Sequence, residues 1–286
     1  MTIDRQKVLG HLIEASRGAA ELVMRVYAET DVGTELKGQN DTVTRADKEA
    51  NAFILAHLKK HLPGLPLVAE ESDPSTFSGF EAERAALFID PVDGTRDFIA
   101  KNGEFCVMIG LAEEGRATAG VVLCPVYGGR RRTYAAAEGI GSFLVGDDDS
   151  RTPLQISRAT DLSVVRCAVS RFHRSKTVDA KLSALASREL VPIGSSGIKG
   201  VVVASGEIEI YAHPSRGKVK LWDACAPDAI VKVAGGVYTD AKGMEFNYRG
   251  AVAQGQGTLA ANATLHAAAL ARFADYDLRT GGETLT

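Results

Sequence analysis

Leu87-Phe88-Ile89-Asp90-Pro91-Val92-Asp93-Gly94-Thr95 is the stretch on which the reading of the chain turns. An apolar run stops at two carboxylates three positions apart, and a Gly-Thr pair follows at once. Such a run is a buried strand that delivers acidic side chains to the rim of a sheet. The turn after it has backbone N–H groups free to meet an anion. Two carboxylates so close repel one another unless a cation lies between them or one keeps its proton. Hard oxygen ligands with no Cys or His beside them point to Mg²⁺ rather than zinc. The stretch therefore predicts a metal-dependent phosphate site.

Working outward, the 286 residues suggest one large domain or two closely packed ones, enough for a sizeable core. Apolar content of 45% and charged content of 24% are ordinary for a globular protein. A formal net charge of −3 gives no general basic field, which argues against a nucleic-acid polymer as partner. An anionic ligand must be handled locally, by metal and a few basic side chains. Cys106, Cys124, Cys167 and Cys225 are scattered, with no C-x-x-C pair, so buried free thiols are expected rather than disulfides or zinc. The first ten residues have no apolar signal core and no stretch approaches a membrane span. A cytoplasmic protein without membrane partners is expected.

Periodicity predicts a long amphipathic helix over about 4–29, then a turn-rich loop over 31–41 with Gly33, Gly38 and Asn40. A second helix opens with Thr44 as N-cap and Asp47 in its first turn, and Pro63-Gly64 ends it. Strands are expected at 65–69, 85–89, 105–112, 118–125, 132–136 and 141–144, with 73–83 as loop. Asp147-Asp148-Asp149-Ser150 is a polar break. Beyond it, strands at 164–170, 190–193, 207–211, 237–240 and 257–261 alternate with helices at 177–186, 198–204, 222–234 and 265–273. Residues 280–286 read as a frayed tail. The expected fold is a layered α-β-α-β-α sandwich. An α+β half over 1–146, with a mainly antiparallel sheet, would bind metal and phosphate, and an α/β half over 151–286 would bind substrate.

Carboxylates recur at strand ends and helix starts: Asp47, Glu70, Asp90, Asp93 and Asp223. Taken singly, Asp47 could serve only its helix dipole, Asp223 only the start of its helix, and Glu70-Glu71 only a solvated loop. The Asp90/Asp93 pair is different, because a buried strand leads straight into it. Asp-x-Asp-Gly-Thr is the nucleophile motif of haloacid-dehalogenase-type phosphatases, but there the aspartates lie two apart near the start of the domain. A spacing of three with Pro91-Val92 between, after an α+β half, disfavours that reading.

Asp90 to Thr95 match D-P-x-D-G-T, and the chain resembles the lithium-sensitive, Mg²⁺-dependent phosphatases of the inositol-monophosphatase type. Trp222-Asp223-Ala224-Cys225-Ala226-Pro227 through Ala234-Gly235-Gly236 resembles the second signature of that family. Val43-Thr44-Arg45-Ala46-Asp47 and Ala69-Glu70-Glu71-Ser72 resemble its two upstream acidic motifs. The runs Gly94–Ile99, Asn102–Phe105, Val169–His173 and Gly194–Lys199 resemble the 3′(2′),5′-bisphosphate nucleotidase branch. One departure stands out: where several relatives place an arginine for the second phosphate, this chain has His213-Pro214, with Arg216, Lys218 and Lys220 nearby.

The resemblance implies hydrolysis of the 3′-phosphate of 3′-phosphoadenosine 5′-phosphate to AMP by attack of metal-activated water, with a link to sulfate assimilation. The alternatives it leaves are an inositol monophosphatase or another sugar-phosphate phosphatase, and a non-catalytic scaffold. It implies Glu70, Asp90, Asp93, Asp223 and the Val92 carbonyl as ligands of two or three Mg²⁺ ions, with Li⁺ inhibitory. Asp47, Glu70 and Thr95 would be catalytic. Gly94 and Thr95 would hold the phosphate, with Ser195, Ser196, Lys199 and His173 as further substrate contacts. A plain strand-to-helix cap competes as a reading of the Gly-Ser-Ser-Gly run, and an exposed loop residue as a reading of His173. A homodimer is left open.

Overall fold

Apolar residues at helical spacing give α1 (Arg5–Tyr27), which Asp4 caps by accepting from Lys7 N–H at 3.0 Å. The computed structural model describes residues 3–36 and 42–281. Gly38, Asn40 and the tail beyond Gly281 therefore lie outside the described residues. In place of an unbroken loop, β1 (Glu35–Leu36) pairs antiparallel with β2 (Thr42–Val43). The chain then enters α2 (Arg45–His61), with Thr44 as its N-cap residue.

The first sheet has the order β3-β4-β5-β6-β7-β8-β9. Its strands are β3 (Leu67–Ala69), β4 (Ala85–Asp93), β5 (Cys106–Glu113), β6 (Arg116–Cys124), β7 (Arg132–Ala137), β8 (Gly141–Val145) and β9 (Arg151–Pro153). Only β3 and β4 run parallel; the other neighbours are antiparallel. A short helix, α3 (Thr95–Ile99), leaves the end of β4. Short 3₁₀ turns interrupt the expected loop at Pro74–Phe77 and Phe80–Ala82.

The expected boundary at 146/151 needs correction. Arg151↔Val145 and Pro153↔Phe143 pairing makes β9 the last strand of the first sheet, so Asp147–Ser150 is the turn of a hairpin. Three exposed residues carry too little pattern to be read as a strand.

The second half runs through β10 (Arg166–Ser170), α4 (Lys176–Ser183), β11 (Glu189–Ile193), α5 (Ser196–Ala204), β12 (Ile210–His213), β13 (Val219–Lys220) and α6 (Leu221–Val233). It ends with β14 (Val237–Thr239), β15 (Ala253–Gln254), β16 (Thr258–Ala261) and α7 (Ala263–Arg279). The sheet order is β11-β10-β12-β16-β14, parallel across its first three strands and antiparallel at β16. A separate pair, β13 with β15, closes over the entrance of α6. Helix α7 outruns the expected end near residue 273, because its polar last turns are held by Asp277, which pairs with Lys181 at 2.7 Å and Lys242 at 2.6 Å.

Strand alternation sorts the core into layers. One face of the first sheet, with Leu87, Ile89, Ile109 and Val121, packs on α1 and α2. Its other face, with Phe88, Met108 and Val122, packs on α5 and α6, which also cover Ala168 and Tyr211 of the second sheet. The outer face of the second sheet, with Val169, Ile210 and Leu259, packs on α4 and α7. This is the layered α-β-α-β-α sandwich. All four cysteines are buried free thiols, and among the described residues no helix is long and apolar enough to cross a membrane.

Candidate active site

The spacing of Asp90 and Asp93 has a backbone cause. In a regular strand, residues three apart face opposite sides. Here Asp90 pairs with Met108 and Asp93 with Cys106, so three steps on β4 answer two on β5. The extra residue is a β-bulge at Pro91-Val92, where proline is tolerated. It turns Asp93 to the same face as Asp90, the face of Met108 and Cys106 against α5 and α6. Val92 points the other way, into the α1/α2 core.

Asp90 is buried, and one of its oxygens accepts from Val92 N–H at 3.0 Å. Glu70 follows the end of β3, with its backbone N–H on Ile89 O at 3.1 Å. Asp223 lies in the first turn of α6. These four carboxylates line one cavity of about 440 Å³, in the cleft between the two halves. Burial, then the charges of Glu70, Asp93 and Asp223, pushes Asp90 well above the usual carboxylate range. Burial, then Glu70 and Asp93, does the same to Asp223. Mutual repulsion in an oxygen-only donor set is what a hard divalent cation relieves, so these residues fit Mg²⁺.

Asp47 carries a different environment. It is buried, its Oδ2 accepts from Thr44 N–H at 2.8 Å and Thr44 Oγ1–H at 2.5 Å, and Thr95 Oγ1 donates to its Oδ1 at 3.3 Å. Burial pushes Asp47 up to about 6 against the pull of the Thr44 donors. The Thr95 hydroxyl also reaches Val92 O at 3.2 Å, so Asp47, Thr95 and the Val92 carbonyl form one connected group. Gly94 holds φ +93° ahead of α3, and a Cβ there would meet Glu104 O at 2.8 Å. Glycine is required at that turn.

Ser195 and Ser196 line the cavity, but their hydroxyls are engaged with the protein. Both donate to Asp93 Oδ2 (Ser196 at 3.2 Å), joined by Gly197 N–H at 2.7 Å. Ser195 Oγ also accepts from Ile198 N–H at 3.1 Å, the cap of α5. Ser195 sits at φ +49°, a strained setting for a non-glycine residue. The arrangement turns the capping reading of this run into a device for fixing one oxygen of Asp93. Ser195→Ala is expected to weaken Mg²⁺ binding by ~10–100-fold, the usual cost of losing a group that orients a ligand. Calorimetric titration with Mg²⁺ checks it, and an unchanged affinity would remove Ser195 from that role.

Lys199 is buried beneath the same loop. Its ammonium donates to Gly194 O at 3.0 Å, Ser195 O at 2.5 Å and Ile193 O at 3.3 Å, and lies 5.4 Å from the Tyr211 ring centre. Burial pulls it down to about 8, opposed mainly by the Asp93 and Asp97 charges. Its three donors are committed to the backbone, so it acts on the cavity as a field rather than as a hand. His173 lies exposed at the mouth.

Several cavity residues carried no separate signal in the sequence. Arg96 lies on the wall and Phe172, 43% exposed, stands at the mouth. Both fall inside runs already quoted, next to Thr95 and His173, but nothing local marks their direction. Glu104 accepts from Arg171 at 2.6 and 2.9 Å and from Gly194 N–H at 2.6 Å, tying the two halves together beside the site. Of the three basic residues after Tyr211, Lys218 lines this cavity. Arg216 lines a separate one beside Lys181 and Lys242, and the Lys220 ammonium lies 5.7 Å from the Trp222 ring centre.

His213 lines the cavity with a buried, unpartnered Nδ1. Burial, then the charges of Lys199 and His173, pushes it from 6.5 down to about 4. Between those values the unfolded chain binds a proton that the folded chain refuses. Stability is therefore complete above about pH 6.5 and falls as pH drops towards about 4. The expected contribution is on the order of 2–3 kcal/mol. Urea midpoints across this range should fall more steeply for the natural chain than for His213→Asn; parallel curves would refute the assignment.

A layered α/β fold with acidic side chains from both halves converging on a basic-walled cleft defines a phosphatase. The comparisons agree: residues 4–277 match the family described as the inositol monophosphatase family. The 3′(2′),5′-bisphosphate nucleotidase CysQ of Salmonella typhimurium is 33% identical over 242 residues, 84% of this chain and 94% of that protein. Inositol monophosphatase 1 of Solanum lycopersicum is 30% identical over 249 residues, 85% and 87% of the two chains. The crystal structure of CysQ from Bacteroides thetaiotaomicron superposes with a TM-score of 0.75 at 24% identity, over 91% of this chain and 99% of that one. The chain belongs to the inositol monophosphatase family, whose members are generally Mg²⁺-dependent.

Proposed function

We propose that this phosphatase hydrolyses the 3′-phosphate of 3′-phosphoadenosine 5′-phosphate, releasing AMP and inorganic phosphate. The observation that carries the reading is the cavity itself: Glu70, Asp90, Asp93 and Asp223 share its lining with Arg96, Lys218, Phe172 and His173. A bisphosphorylated nucleotide needs both kinds of group. The reacting phosphate meets the carboxylates, while the second phosphate and the base meet cations and an aromatic ring. The nucleotidase name of the 33%-identical relative supports the same reading.

Glu70, Asp90, Asp93, Asp223 and the Val92 carbonyl are the groups proposed to hold Mg²⁺, with two or three ions in the working state and Li⁺ as a competitor. When bound, Mg²⁺ supplies positive charge for the phosphate oxygens and makes water more acidic. The chain supplies the positioning. Thr95 Oγ1 gives its proton towards Asp47 and keeps a lone pair facing the cavity, so a water there can be held by Thr95 and relieved of a proton through Asp47. An Asp47 carboxyl held near 6 is a serviceable proton acceptor around neutral pH. Glu70, at the same wall, is a second acceptor. Gly94 and Thr95 would meet the phosphate at the turn.

The plant inositol monophosphatase relative favours a second reading, a sugar monophosphate as substrate. A substrate panel separates the two. With Mg²⁺, 3′-phosphoadenosine 5′-phosphate is expected to be turned over at least ~10²-fold more efficiently than inositol 1-phosphate or fructose 1,6-bisphosphate, since unpaired polar groups penalise the wrong ligand heavily. A preference for inositol 1-phosphate would overturn the nucleotidase reading. Addition of Li⁺ to the same panel tests the inhibition.

A further inference from the structure

Away from the cleft, the outer helical layer gathers a second ligand set of different chemistry. His11 and Glu14 lie one turn apart on α1, and His57 and His61 one turn apart on α2. His11 Nδ1 is 3.0 Å from Glu14 Oε2, and His57 Nε2 is 3.5 Å from the same oxygen. The His61 ring lies 4.7 Å from that of His11 and 4.5 Å from that of His57, centre to centre. One donor atom from each of His11, Glu14 and His57 falls within 4.8 Å of the others. Bonds of ~2.0–2.2 Å to a tetrahedral ion set such donors ~3.3–3.6 Å apart, so a small side-chain adjustment closes the set.

The His11–Glu14 hydrogen bond accounts for one side of this convergence, but not for the approach of His57 from the other helix. His57 Nε2 is buried without a hydrogen bond, with Glu14 Oε2 3.5 Å away. Burial, then the positive charge of neighbouring His61, holds His57 below its ordinary value, which favours the unprotonated ring that can offer a lone pair. Ring packing would explain the contacts of His61 with His11 and His57 but not nitrogens from two helices aimed at one carboxylate oxygen. Three of the protein's six histidines take part, so this is where its imidazole ligands are concentrated. Imidazole donors prefer zinc-like ions, whereas the oxygen-only cleft prefers Mg²⁺, so the two sites select different metals.

We propose that His11, Glu14 and His57 bind a divalent cation of the zinc class, with His61 or water completing its shell, and that the ion staples α1 to α2. The site lies towards the far end of α2 from Asp47, so it acts on the stability of the helical layer and not on the reacting atoms. Ligand binding to the folded state alone raises its stability by mass action.

The test uses Co²⁺ and Zn²⁺ on the full chain with excess Mg²⁺ present to fill the carboxylate cleft. Co²⁺ is expected to give the intense visible bands of a tetrahedral site at one equivalent. The bands should be lost in the His11→Gln/His57→Gln double variant and kept in Asp93→Asn. Zn²⁺ should raise the Tm of the natural chain by about 2–4 °C or more and leave the double variant unmoved, with phosphatase activity equal in both. Bands that survive in the double variant, or that vanish with Asp93→Asn, overturn the proposal. So does an absence of tetrahedral Co²⁺ bands in the natural chain. Should the double variant fold poorly, His57→Gln alone supplies the same comparison.

Discussion

Asp93→Asn is expected to lower Mg²⁺-dependent phosphate release by at least ~10²–10³-fold, the scale on which loss of a single preorganised electrostatic group acts. The reason lies in how completely one oxygen of Asp93 is occupied. Oδ2 accepts from Ser195, Ser196, the Gly197 N–H and the Cys106 thiol, so four donors converge on it. An asparagine must keep its carbonyl oxygen at that position, because its amide would set donor against donor. Its NH₂ group then faces the cavity where a lone pair is needed. The shape is kept and the ligand is lost. Stability should move the other way: Asp93 is among the charges that push up both Asp90 and Asp223, so removing it relieves repulsion in the metal-free protein. The checks are phosphate release at saturating Mg²⁺ and a thermal melt in chelator. The expected pair is an inactive enzyme with an equal or higher melting temperature. Turnover near that of the natural chain would sink the assignment of Asp93 to the metal site.

How much of this was legible beforehand depends on the range of each signal. The strand through Leu87–Ile89, the Thr44 cap and the carboxylates at element ends are local patterns, and the sequence carries them openly. The spacing of Asp90 and Asp93 could be used to reject a rival motif, yet its cause, a bulge that turns both side chains to one face, needs the register of β5. The fixing of Asp93 by Ser195 and Ser196 spans about a hundred residues, and no local pattern encodes it. The Gly-Ser-Ser-Gly run looked like either a substrate contact or a helix cap. It caps α5 and at the same time holds a carboxylate of the other half. Strands β1, β2, β9, β13 and β15 carry no readable signal because two or three residues are too few to show alternation. The helical cluster of His11, Glu14, His57 and His61 was invisible for a related reason. Each pair sits one turn apart on its own helix, but only the packing of α1 against α2 brings the pairs together.

Gly110→Val is expected to disable the enzyme from the middle of the core, at a cost of about 3 kcal/mol, the upper end for over-packing. A Cβ on Gly110 would lie 2.6 Å from Cys225 Sγ, 2.7 Å from Ala226 N and 2.8 Å from Cys225 C. Two of those three atoms are backbone, so no rotamer change on α6 makes room. The neighbouring strand repeats the constraint, since a Cβ on Gly120 would lie 2.6 Å from Ala226 O. Nor can α6 retreat freely, because on its other side a Cβ on Gly200 of α5 would meet Pro227 Cβ at 2.5 Å. The helix is held between glycines in the sheet and a glycine in α5, and Asp223 rides on its first turn, two residues before Cys225. Any displacement that accommodates a valine therefore moves a carboxylate of the site. A shift of 1 Å at a reacting centre costs on the order of 10²-fold in rate. Folded Gly110→Val, assayed well below its melting temperature, should accordingly lose much more activity than its unfolded fraction explains. Urea midpoints and turnover corrected for folded fraction check both halves of the argument. A destabilised variant with normal turnover in its folded fraction would show that α6 yields without carrying Asp223, and an unchanged midpoint would show that the close approach at Gly110 does not constrain the helix at all.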